Sequence, residues 1–188
     1  MKSNLFGRAL LAAALVAGAG LAHAANKPNA PVPGSDADLT QRVRHAVLMY
    51  PRFTLWDDIG YRVSNGQVEL SGAVTQPFKK SDIERLVKEI PGVAGIADNI
   101  EVLPLSPMDD RLRVQVARAI FRDPSLSRYA AGAIPSIHII VDNGHVTLTG
   151  VVMNAMDKEI AGMRASAGLS FGSVVNNLQV EGPSPGKS

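Results

Sequence analysis

A chain of 188 residues that is 46% hydrophobic and 19% charged has room for one or two small folded domains and does not have the composition of a disordered polymer. It contains no cysteine, which excludes thiol catalysis, thiolate metal sites and a disulfide framework. The formal net charge of +2 gives no global support for nucleic-acid binding, which needs a concentrated basic surface.

Residues 1–24 read as a cleavable signal peptide. Lys2 and Arg8 supply a positive first region, Ala9 to Leu21 an apolar stretch, and Ala22-His23-Ala24 a small-x-small cleavage site. An apolar run of about 13 residues falls short of the roughly 20 that span a bilayer, so no transmembrane segment is expected after cleavage. Without cysteine the new terminus cannot be lipidated, and the expected location is the periplasm. Cleavage takes Lys2 and Arg8 from the 19 basic side chains and leaves 17 against 17 acidic ones. An electrostatic partner must then be met by a local patch.

Residues 25–34 hold three prolines and no apolar period, and read as a flexible lead-in. Ser35 is placed to cap a helix running to about Met49, with Asp36 and Asp38 in its first turn and Leu39, Val43, Ala46, Val47 and Tyr50 on one face. Pro51 ends it. The following loop carries Phe53, Leu55 and Trp56, which either form an exposed anchor or close the end of a small core.

The next stretch, Val63 to Val74, recurs as Val141 to Val152 at a constant offset of 78. Each copy places Asn-Gly between alternating apolar and polar residues, the signal of a hairpin closed by a type I′ turn. Gly66 and Gly144 then occupy turn positions with positive φ. The register sets Val63 against Val68 and Tyr61 against Leu70, and in the second copy His138 against Thr149 and His145 against Asp142. Gly72 and Gly150 stand on the apolar face where a valine is expected, as if a helix packed closely over them.

A second helix is expected over about Phe78 to Ile90, and a strand over Ile96 to Leu103. After the stiff linker 104–108 the order repeats: a helix from Asp109 to Arg122, the second hairpin, a helix over Ala155 to Ala167 and a strand over Val174 to Val180. The last helix contains Gly162 and Gly168 and is the weaker of its kind. The second copy carries five extra residues within Ser127 to Ser136, around Tyr129. Residues 182–188 read as a disordered tail. The fold class is therefore α+β: two αββαβ units, 35–103 and 109–181, each a three-stranded mixed sheet with two helices on one face.

The repeated Gly-x-Val-x-Leu-x-Gly-x-Val core (Gly66 to Val74 and Gly144 to Val152), with Gly92-Val93 and Asn99 in the first unit and Gly172 and Asn177 in the second, resembles the OsmY-like family of dual BON-domain periplasmic proteins. The resemblance covers residues 38–181. It implies attachment to phospholipid surfaces or envelope partners, a role in osmotic or envelope stress, and no catalysis or cofactor.

Chemistry-bearing residues are sparse. His138 and His145 share a hairpin face but lie roughly 13 Å apart along the strand, too far for one metal ion. Asp57-Asp58 and Asp109-Asp110 lack a partner histidine or a glycine-rich phosphate loop, and no Gly-x-Ser-x-Gly elbow occurs. The informative signal is the helix after the linker. Arg111, Arg118 and Arg122 lie within about 40° on the helical wheel, with Val114, Ala117 and Phe121 as an apolar line beside them. This pattern points to peripheral binding of an anionic phospholipid surface, with Arg111, Arg118 and Arg122 on phosphates and Phe121 and Tyr129 inserting shallowly. The alternative is a chaperone or protein-interaction module using the apolar outer hairpin face around Ile140 and Val151.

Overall fold

The computed structural model describes residues 34–132, 134–167 and 172–182. The expected signal peptide, most of the lead-in, Gly168 and most of the tail lie outside the described residues. The order of elements is α1 (Asp36–Leu48), β1 (Asp58–Ser64), β2 (Gln67–Val74), α2 (Pro77–Lys88), β3 (Gly95–Val102), α3 (Pro107–Phe121), β4 (Ile137–Asp142), β5 (His145–Val152), α4 (Ala155–Ala167), β6 (Ser173–Asn176) and β7 (Gln179–Val180). A short 3₁₀ turn, Ser127–Ala130, precedes β4.

Each hairpin has the register that its Asn-Gly turn demands: Val63 pairs with Val68, Tyr61 with Leu70, His138 with Thr149 and Asp142 with His145. Asn65 and Asn143 have φ of 51° and 49°, and Gly66 and Gly144 have 75° and 83°, as a type I′ turn requires. A parallel strand then joins the second hairpin strand, giving the mixed orders β1-β2-β3 and β4-β5-β6. The final strand is broken, because Asn177 and Leu178 step out of the ladder before β7 resumes the pairing with β5. The break leaves Leu178 fully buried, where Ile100 stands in the first repeat.

Gly72 and Gly150 are crowded by backbone and not by a helix. A Cβ on Gly72 would lie 2.2 Å from the Asp58 carbonyl oxygen, and one on Gly150 would lie 2.1 Å from that of Ser136. Their φ values of 105° and 107° fall where L side chains are strained, so these positions shape the strand ends.

Helix α1 starts at Ser35, whose hydroxyl accepts the Asp38 N–H, and α3 starts at Ser106, whose hydroxyl accepts that of Asp109. The first acid of each helix has a second task. The Asp36 carboxylate accepts the N–H groups of Asn65 and Gly66 at 2.6 and 2.9 Å, and Asp109 accepts those of Asn143 and Gly144 at 3.0 and 2.8 Å. Each helix N-terminus is thereby tied to the hairpin turn of its own repeat.

The apolar faces of α1 and α2 close the first core over Val68, Leu70 and Ile100. The second core joins Leu112, Val116 and Ile120 of α3 and Ala161 and Ala165 of α4 to Ile139, Val146 and Leu148. Both repeats belong to one compact unit, and the loop before β1 joins them. Leu55 and Trp56 pack against the second core and not the first; the Leu55 carbonyl accepts the Ile139 N–H at 2.8 Å, and the Phe53 ring lies 5.3 Å from that of His138. Ile140 is buried with Ala73 and Leu103. The apolar outer hairpin face is therefore covered at Ile140 by the first repeat, while Val151 remains 47% exposed.

Candidate functional site

Helix α3 is built to turn one face outward. Pro107 at its first turn and the Ser106 cap fix its start. Leu112, Val116 and Ile120 then recur at four-residue spacing and are buried, each fully buried side chain of this size contributing about 1.5–3 kcal/mol. The opposite face presents Arg111, Arg118 and Arg122, all exposed. They border an open groove shared with Val114, Ala119, Pro124 and, from α4, Arg164.

The acids beside this groove are already engaged. Asp110 accepts from Arg113 at 2.6 Å, and the buried Arg113 also donates to the Val141 carbonyl at 2.7 Å. Asp123 accepts the Arg164 Nε–H at 2.7 Å and the Ser125 N–H at 2.9 Å. The Ser125 N–H and then Arg164 hold its carboxyl below the usual carboxylate range. Among the described residues, no ion pair involves Arg111, Arg118 or Arg122. Three guanidinium groups with fixed positive charge face solvent without an internal counter-ion, an arrangement that receives phosphate or carboxylate oxygens.

The aromatic residues expected beside them are placed otherwise. Tyr129 is only 6% exposed. Its hydroxyl donates to the Asp157 carboxylate and accepts the Met153 N–H at 2.9 Å, and burial followed by the Asp157 bond pushes its pKa up. Asp157 also receives Arg128. Tyr129 is thus a core residue that anchors the 3₁₀ turn, and shallow insertion by it is ruled out. Phe121 is half-buried against the second core, as is Ala117, while Val114 is 41% exposed. The apolar line beside the arginines divides: two of its members belong to the core and one to the groove. Arg164 was missed in the sequence; the offset of 78 sets it at the position of Leu86, and that exchange was a readable signal.

His145 faces Asp142 as the register requires, yet its Nδ1 hydrogen-bonds the Ser173 hydroxyl at 2.8 Å. Among the described residues no group of three or more His, Cys, Asp or Glu side chains is placed to hold a metal ion, and no helix is long and apolar enough to cross a membrane.

Among solved structures, the chain is similar to two of CdsD, a structural protein of the type III secretion system of Chlamydia trachomatis. One is its C-terminal domain, at 15% identity and a TM-score of 0.28 over 77% of this chain and 98% of that one; the other has 15% identity and a TM-score of 0.27 over 77% and 93%. Likeness at that level carries no functional argument. No protein of curated function matches in sequence. The family model of the BON domain matches twice, over residues 35–104 and 108–182, and these two matches take in the four helices and both sheets of the described residues. The chain belongs to the BON-domain family and carries the domain in tandem.

Proposed function

We propose that this protein is a non-catalytic, OsmY-like component of the periplasm that holds to anionic phospholipid surfaces through its second BON domain, in maintenance of the envelope under osmotic or other stress. BON domains are associated in general with phospholipid binding and with osmotic-stress proteins. The observation that carries the reading is the exposed set Arg111, Arg118 and Arg122, free of internal acidic partners while Asp110 and Asp123 are taken up by Arg113 and Arg164. Guanidinium groups in a row suit lipid phosphates, each adding about 1 kcal/mol near an anionic surface.

The test is co-sedimentation with vesicles of phosphatidylglycerol and phosphatidylcholine. Binding should weaken steeply between low and physiological salt and be lost when all three arginines are replaced by Glu. Equal binding by that triple variant, or no binding by the wild-type protein, would overturn the reading.

A further inference from the structure

The two repeats share one fold, so each acts as an internal control for the other. At the offset of 78, the outward positions Phe78, Asp82, Arg85 and Glu89 of the first repeat correspond to Met156, Ile160, Met163 and Ala167 of the second. The first set is charged at three of four positions; the second has no charge at all. Met156 and Met163 are 72% and 63% exposed, and all four residues fall within about 60° on the helical wheel. Ile160 is half-buried against the second core, whereas Met156, Met163 and Ala167 turn outward, away from the buried Asp157, Ala161 and Ala165 of the same helix.

This apolar ridge adjoins the arginines. Helices α3 and α4 pack on each other and cover the same side of the second sheet, so their outward faces belong to one layer. Arg164 projects from the flank of α4 next to Ile160 and lines the arginine groove of α3. A surface with fixed cations on one helix and unbranched, flexible thioether chains on the neighbouring one suits the boundary between phosphate and acyl chain.

We propose that the outward face of α4, centred on Met156 and Met163, enters the acyl boundary of the bilayer whose phosphates meet Arg111, Arg118 and Arg122. This rests on the phospholipid reading above, and it assigns to two methionines the insertion that Tyr129 cannot perform. The occupant is lipid because the surface pairs cations that complement phosphate with an exposed apolar ridge that suits acyl chains.

The absence of cysteine allows the test to be made site by site. Met156→Cys, Met163→Cys and, as control, Arg85→Cys are each labelled with the environment-sensitive fluorophore NBD and mixed with vesicles of equal parts phosphatidylglycerol and phosphatidylcholine. The two labels on α4 should shift to the blue and brighten roughly twofold or more on transfer to an apolar boundary, and the label at Arg85 should not. Unlabelled Met156→Asp/Met163→Asp, checked for native circular dichroism, should lose the part of binding that survives high salt. Vesicle binding with both α4 labels still in water would overturn the insertion and leave the phosphate reading standing. Failure of the unlabelled wild type to bind vesicles would overturn both. A shift produced by unfolded casein and not by vesicles would make the occupant a protein and overturn the assignment.

Discussion

Lys79 and Asp157 occupy the same position in the two repeats and carry opposite charge into the same place. Each is the third residue of its helix, α2 or α4, and each is buried. Lys79 meets Asp57 at 2.6 Å, whereas Asp157 meets Arg128 and the Tyr129 hydroxyl. In both repeats the pair ties the segment before the hairpin to the helix after it. The polarity of the pair is free to invert; the tie is kept.

Removing one partner is therefore the costly change. Lys79→Ala leaves Asp57, which has no exposed surface, as an uncompensated buried charge, and the expected loss is about 3–5 kcal/mol. Neutralising both, Asp57→Asn with Lys79→Met, should cost clearly less, because Asn removes the buried charge and keeps an acceptor beside the Thr54 and Thr75 N–H groups. Urea unfolding of the two variants measures the difference, and equal losses would contradict the account.

The same pair predicts an acid response. Burial pushes the Asp57 carboxyl up, but the hydrogen bonds from Lys79, Thr54 and Thr75 outweigh it and hold the carboxyl below its usual value. A carboxylate depressed in the folded state adds stability that is fully present above its unfolded pKa of about 3.9 and is lost as pH falls through the lower folded value. Stability followed from pH 6 downward should thus stay level for this pair until below about pH 4. In Asp57→Asn the part of the acid loss due to this group should vanish.

The clamps at the helix starts should differ in strength. Asp109 is 1% exposed and its bond to the Gly144 N–H is buried. Asp109→Ala should cost about 1–3 kcal/mol, the range for stranding a buried donor. Asp36→Ala should cost less, because its bond to Asn65 is exposed and water replaces it. Amide exchange at Gly144 and Gly66 would show the contrast directly, rising more at Gly144.

Trp56 is the only tryptophan, and it reports on the repeat to which it does not belong in sequence. Trp56→Ala should cost about 2 kcal/mol, less than the ~3–5 of a fully buried aromatic. The loss should fall on the second repeat, seen as faster exchange at the Ile139 N–H. Unchanged exchange there would refute the coupling.

Most of the fold was legible because it is local. The Ser35 cap, the Asn-Gly turns and the apolar periods of the four helices each act within a few residues, and the hairpin register follows from turn geometry alone. What was not legible depends on partners far along the chain. Tyr129 lies in an insertion without periodicity, and its burial is decided by Asp157, 28 residues later. Asp36 reads as an acid in a first helical turn and Asp109 as the start of a helix, and only folding brings the hairpin turns to them. Ile140 and Trp56 were exposed or buried according to how the repeats meet, about which alternation says nothing. The arginine face was visible because outward residues on a helix obey the same period as inward ones.

The Leu55 carbonyl that meets the Ile139 N–H also occupies one donor on the outer edge of a sheet. Strand β4 is outermost in its sheet, and Ile137 to Val141 form an apolar, largely buried run of the kind that pairs with other chains when its backbone is open. A second repeat separated from the first would bare Ile140 and open the Ile139 N–H, while Ile137, Ile139 and Val141 would stay within its own core. In this tandem arrangement the first BON domain covers an apolar side chain and one open donor at the outer strand of the second, the two features by which a bare edge recruits other chains.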